Sequence, residues 1–439
     1  MRTMDKTAKH SVKGQNNSDP SWSPARSAIQ AFFDNSNDEY HRLSFPSRKD
    51  EAWRSFEIDE NKYSFLIDKR AFTKKLHQRG HPLARKANFS GYGQYLRNTY
   101  NYQLAQYLLE QGVIFCDLSS AIVDHPDLVN ELIGKLIPFT KGKFAGLING
   151  SAENGAFLYI PPNVKIELPL NIELQSPSGG RSEFYHHIIW CDKGSRASIV
   201  LDRGNHVNQE ITGSFLGEVM EIIVDNNSQM DILTTQSLDT DVDFISYQKV
   251  RILEQGYLNF ASLSSGSHQT KAFMEFELVG EGAEAKISGL ILSEDTQHID
   301  IETRQLHANR STTSDLNFKS VAWDKGSVVW RGMVRVEADA AKSDGYQKSE
   351  SLVLSSQARI NTIPGLEILN NDVKCSHGAV VRRLSKEELF YLQARGLDQK
   401  QSETLLINGF LNQIIDLLRK PMLVQHTEKF IKGKIVEKE

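Results

Sequence analysis

The sequence predicts a mainly β chain, a solenoid of stacked coils held between two helical regions. Three observations predict it. The hydrophobic period changes from helical to alternating near Gly146 and stays alternating to about Val381. Similar turns recur along that stretch, at irregular spacings of roughly 25 to 45 residues, as stacked coils would space them. A capped helical pattern resumes at Ser385.

Taken in order, residues 1–22 are polar and expected to be disordered, 23–145 mostly helical, 146–383 the solenoid core, and 384–439 a C-terminal helical domain. Ser23 as N-cap and Pro24 at N1 open a first helix through Ala28, Ile29, Ala31, Phe32 and Phe33. A second helical pattern covers Tyr95 to Leu109. A third follows Pro126 through Leu128, Leu132, Ile133 and Leu136, and Pro138 ends it.

The core reads as short strands: Phe157–Ile160, Ile166–Leu168, Ile172–Leu174, Ile188–Trp190, Met220–Val224 and Phe273–Leu278. The turns Cys191–Ala197, Asp225–Met230, Leu253–Leu258, Val279–Ala285 and Trp323–Val328 share one plan, with Gly or Asn where φ > 0 is needed. A β-sandwich also has short strands, but it is usually shorter and this long stretch has almost no helical interruption.

In the C-terminal region, Ser385 to Glu388 fits a capping box, Gly396 suits the residue after a helix, and Asp398 can cap a longer helix through Leu405, Phe410, Ile414 and Leu418. Pro421 is expected to stop it. Two such helices carry more apolar surface than they can bury between themselves, which marks a docking surface for the solenoid and for another protein.

The 439 residues carry a net charge of −4, without the basic stripe that nucleic-acid binding needs. Three cysteines do not make a disulfide framework and suit a reducing compartment. With neither a signal-like apolar stretch at the start nor a run of the ~20 apolar residues that span a bilayer, the chain reads as cytoplasmic, with no membrane partner.

The stretch Asp372-Val373-Lys374-Cys375-Ser376-His377-Gly378-Ala379 carries the chemistry. On a strand, Cys375 and His377 face the same way. A thiolate and a neutral imidazole suit iron, zinc or copper, but two ligands do not close a site, and a cysteine is often a small buried hydrophobe. Other candidates carry less. His186 and His187 are adjacent and face opposite ways on a strand, so they cannot chelate together. His298 and His307 read as polar surface, and Cys116 and Cys191 as structural. Gly280-Glu281-Gly282 lacks the lysine and the helix of a phosphate loop.

That motif, together with Pro364–Ile368, Leu389–Leu392, Arg395-Gly396-Leu397, Ile407–Phe410 and the N-terminal Phe45-Pro46 and Asp50–Arg54, resembles the SufB/SufD family of iron–sulfur cluster assembly proteins. The Lys-Cys-Ser-His-Gly-Ala form is similar to the SufD branch. Where the family continues Ala-Thr-Val-Gly, this chain has Ala379-Val380-Val381-Arg382. The resemblance implies a right-handed parallel β-helix core between helical domains. It implies pairing with SufB through the β-helix, with a homodimer possible in isolation. It also implies docking of the SufC ATPase on the C-terminal helices, for which Phe390, Tyr391, Arg395 and Phe410 are the expected contacts. The expected function is that of a non-catalytic scaffold. His377 matches the family's histidine at a shared cluster site, and Cys375 is a second candidate. A transient iron–sulfur cluster or iron at the interface is expected, with no cofactor bound tightly to the isolated chain. The solenoid alone would also allow a secreted-type carbohydrate-active enzyme or binding protein, against which the lack of a signal-like start and the apolar helical tail speak.

Overall fold

The computed structural model describes residues 23–64, 78–79, 89–96, 99–152, 154–204, 213–415 and 421–436. The expected disordered start falls outside them.

Alternating side chains make two long sheets that face each other, one of eleven strands and one of nine. From Arg196 onward each coil contributes one strand to each sheet, as Tyr257–Gly266 to sheet one and Gln269–Leu278 to sheet two. All pairs between successive coils are parallel, and the winding makes a β-solenoid of about eight turns. One coil carries Tyr257 to its partner Glu284 and Ser182 to Phe215. Inward residues repeat at the same height, so Met230, Leu258 and Ala285 stack in one column and Ile232, Phe260, Ile287 and Leu316 in another. These columns form the largest apolar cluster, which is how a solenoid with no single centre still buries a continuous core.

The corner from sheet two to sheet one keeps one residue of positive φ in six successive coils, at Gly194, Asn227, Gln255, Gly282, Ser311 and Lys342. Each of these N–H groups donates to a carbonyl of the next coil: Gly194 to Asn226, Asn227 to Glu254, Gln255 to Glu281. Glycine is therefore not required for φ at every corner. Gly256 and Gly326 follow or sit near positive-φ residues (Gln255, Asp324) and allow close approach instead. A Cβ on Gly326 would lie 2.4 Å from the Ser293 carbonyl oxygen.

Helices cover the outer faces. Pro24–Arg42, with Ser23 accepting from the Arg26 N–H, and Lys143–Ser151 lie on the side of sheet two. Trp53 stacks on Phe144 at 5.1 Å and both pack on Phe215 and Tyr247 of that sheet. The C-terminal helices Gln399–Ile415 and Pro421–Val436 cover sheet one through Phe410, Leu411, Leu423 and Ile431.

Three expected elements differ. Tyr95 to Leu109 is mostly a hairpin, Gly91–Leu96 and Thr99–Leu104, followed by a five-residue helix, Gln106–Glu110. The tyrosines at 92, 95, 100 and 102 fit a pleated surface better than a helix, and pairing with the core strand Leu170–Gln175 decides it. The helix after Pro126 ends at Leu132, before Gly134 at φ 71°. Pro421 opens a third C-terminal helix, since proline at N1 lacks only an N–H that no carbonyl awaits.

Candidate functional site

The last coil ends both sheets. Arg359–Ile368 closes sheet two and Lys374–Arg382 closes sheet one, each paired on one side. Among the described residues no strand or helix caps the other side. Ile363, Leu369, Val380 and Val381 are each about half exposed there. The end of the solenoid is an open parallel edge with an apolar rim, the kind of template a second chain pairs with.

Cys375 and His377 sit on its final strand and both face inward. His377 continues the column of Ile287, Leu316 and Gln347. Cys375 continues the column of Ala285, Ser314 and Gly345. His377 is exposed and Cys375 partly buried. The thiol packs with Val373 on Val334, Val336 and Ala340, and desolvation raises its pKa, so it rests as a thiol. A Cβ on Gly345 would lie 3.4 Å from Cys375 Sγ and 3.2 Å from His307 Nε2. The missing side chain at 345 thus lets the thiol and the His307 ring approach one space.

His307 is not at the surface, contrary to expectation. It is fully buried in the interior, with Nδ1 at 2.8 Å from Thr312 Oγ1 and Nε2 at 2.7 Å from Ser314 Oγ. Thr312 donates to the Asn309 carbonyl, so its oxygen accepts from Nδ1–H, and Nε2 accepts from Ser314. Burial pushes the His307 pKa down to about 4 and keeps the ring neutral. Its phase gives the position away, since Ile299, Ile301, Gln305 and His307 alternate inward on one strand. His186 and His187 do face opposite ways. His187 points inward, and His186 bonds Glu221 at 2.7 Å on the outer face. Cys191 is buried in the core.

The C-terminal hairpin separates the other predicted residues. Ser385 accepts from the Glu388 N–H and Asp398 from the Gln401 N–H, so both caps form. Phe390 is 73% and Tyr391 55% exposed, and the Arg395 guanidinium lies 4.5 Å over the Tyr391 ring. These three make one accessible aromatic and cationic patch. Phe410 does not belong to it. It is buried against sheet one, with Lys319 Nζ 4.0 Å above its ring and Arg382 beyond at 5.8 Å. The helix uses that side chain to hold itself to the solenoid. Leu405, on the same helix, is half exposed.

Among the described residues no three His, Cys, Asp or Glu side chains gather as a metal site. The arrangement is a pair of inward donors at an open end, beside a rigid body and two covered faces.

These features define a class of protein: a β-solenoid with an unpaired end, flanked by N- and C-terminal helices. The family model described as SUF system FeS cluster assembly, SufBD core domain, matches residues 174–410, and the SufBD protein N-terminal region matches residues 22–172. The chain belongs to the SufBD family. It is 27% identical over 318 residues to an iron–sulfur cluster assembly SufBD family protein of Staphylococcus epidermidis, covering 72% of this chain and 68% of that one. SufBD family proteins of Staphylococcus haemolyticus and Staphylococcus aureus match to the same extent.

Proposed function

We propose that this chain is the SufD-type subunit of an iron–sulfur assembly complex and acts as a scaffold rather than an enzyme. The observation that carries the reading is the open last coil, with His377 exposed on its inward face. A donor there is half of a site, and a second solenoid paired on the free edge, SufB in this reading, would bring the remaining ligands. The nascent cluster is cargo at that seam. His377 Nδ1 or Nε2 ligates iron in its neutral form. Cys375, deeper and protonated, joins only if the metal displaces its proton.

Phe390, Tyr391 and Arg395 present the docking patch for the SufC ATPase. Dimerisation of two such ATPases would draw the two C-terminal hairpins together. Each hairpin is tied to its last strand by Arg382, whose guanidinium lies 3.8 Å from Glu388. Family membership, more than the solenoid, favours this reading over carbohydrate chemistry. Among the described residues no helix is long and apolar enough to cross a membrane.

The test is replacement of His377 by Ala, with cluster formation on the co-expressed complex followed by absorbance and iron content. The expected result is loss of most bound iron with the complex still assembled. Undiminished cluster formation would sink the role of His377.

A further inference from the structure

Inside the last coils the apolar columns break. Gln347 replaces the Leu316 and Ile287 of its column, and Ser351 and Ser320 lie over Ile291. Ser349 lies over Phe318, Gln305 over Phe276 and Trp330 over Ile301. These six polar residues face inward and are almost fully buried. Each keeps one polar atom with no protein partner: Oε1 of Gln305 and Gln347, Nε1 of Trp330, and Oγ of Ser320, Ser349 and Ser351.

Several are partly satisfied. Gln347 Nε2 reaches across to the carbonyls of Gly365 at 3.0 Å and Gly332 at 3.4 Å, and Gln305 Nε2 donates to Ser314 Oγ at 2.6 Å. The bonds they do make fix their orphaned atoms inside the interior. A buried polar atom without a partner is costly, and native chains hold few. Six in neighbouring coils, acceptors and a donor together, call for one small species that donates and accepts. Water is that species.

We propose that the interior of the last coils binds a file of ordered water molecules that ends beneath Cys375 and His377. Gln347 lies next to His377 in its column, and Gly345, without a side chain, lets Cys375, His307 and Val334 close in around it. The file supplies hydrogen bonds and proton exchange to these two donors from within, when a partner covers the open end. That service rests on the functional reading above, whereas the hydration does not.

The Trp330 indole N–H is a built-in probe. In the full chain labelled with 15N-tryptophan, with the resonance assigned by Trp330→Phe, its proton should exchange with solvent in the native state, at a rate that does not follow global unfolding. Ser349→Ala, which removes a hydroxyl that makes no bond to the protein, should lower Tm because it removes a water-bonded group. An indole proton that exchanges only through global unfolding overturns the proposal. So does a Ser349→Ala chain as stable as the parent or more so, the behaviour of a dry interior relieved of an orphan. Neither readout involves a cluster, so failure here is distinct from failure of the His377→Ala test.

Discussion

At the scale of the residue, a few buried polar side chains carry more than their number suggests. Glu221 accepts from the N–H groups of Gly134, Leu136 and Ile137 at 2.6 to 2.8 Å and from His186. One carboxylate therefore fixes the chain after the Pro126 helix to sheet two. Replacing Glu221 with Ala strands three backbone donors, and should cost roughly 3 kcal/mol or more in urea unfolding.

Two inward histidines give the chain a pH response. His187 and His307 have folded pKa values of about 4, lowered by burial, against about 6.5 unfolded. As pH falls from 6.5 to 4 the unfolded chain takes these protons first. The stability they contribute is complete above 6.5 and lost on the way down to 4, by about 3 kcal/mol for each ring. Glu183 works the other way, its carboxyl raised to about 7 by desolvation, so it favours the folded chain at low pH and loses that contribution as pH rises. The histidine share is best read by difference. Urea midpoints at pH 7 and pH 5 should differ less in a His307→Gln chain than in the parent.

At the scale of the element, the C-terminal hairpin is built from two kinds of aromatic residue that the sequence does not tell apart. Phe410→Ala removes a ring packed between Lys319 and the solenoid. It should lower stability by about 3 to 4 kcal/mol and loosen the helix, seen as a lower Tm and faster proteolysis. Phe390→Ala and Tyr391→Ala remove exposed rings and should leave Tm nearly unchanged. If these rings meet the ATPase, the double substitution weakens its binding at least tenfold by calorimetry. Unchanged affinity would remove them from the docking patch.

The same element shows how local signals act. Caps at Ser385 and Asp398 form as their residue types require, since the first N–H groups of a helix need an acceptor wherever the helix lies. Pro421 was ambiguous for the same kind of reason. A proline closes a helix behind it and can open one ahead of it.

At the scale of the whole molecule, the open end is where the proposed second solenoid would pair. Ile363 and Val380 face outward on the two final strands and are half exposed. Ile363→Lys with Val380→Lys should leave the folding transition in place while abolishing pairing with a second solenoid, measured by analytical ultracentrifugation. Pairing that persists would place the interface elsewhere on the body.

The sequence by itself determined the β-solenoid class, the recurring corners, the helix caps and the common face of Cys375 and His377. All of these are local. Alternation gives a strand its two faces, and turn and cap chemistry acts within a few residues. It could not say for most strands which face is inside, because helices cover the outer faces as well and both faces carry apolar residues. Only the stacking of coils did that. It carried His307 from an expected surface to the interior, turned Phe410 toward the solenoid and buried Gln305 and Gln347 inside the last coils. It also turned Tyr95 to Leu109 into strands by offering the edge at Leu170–Gln175. The openness of the last coil is likewise tertiary. A strand lacks a partner only when every other strand has been placed, and that absence leaves His377 waiting at an edge.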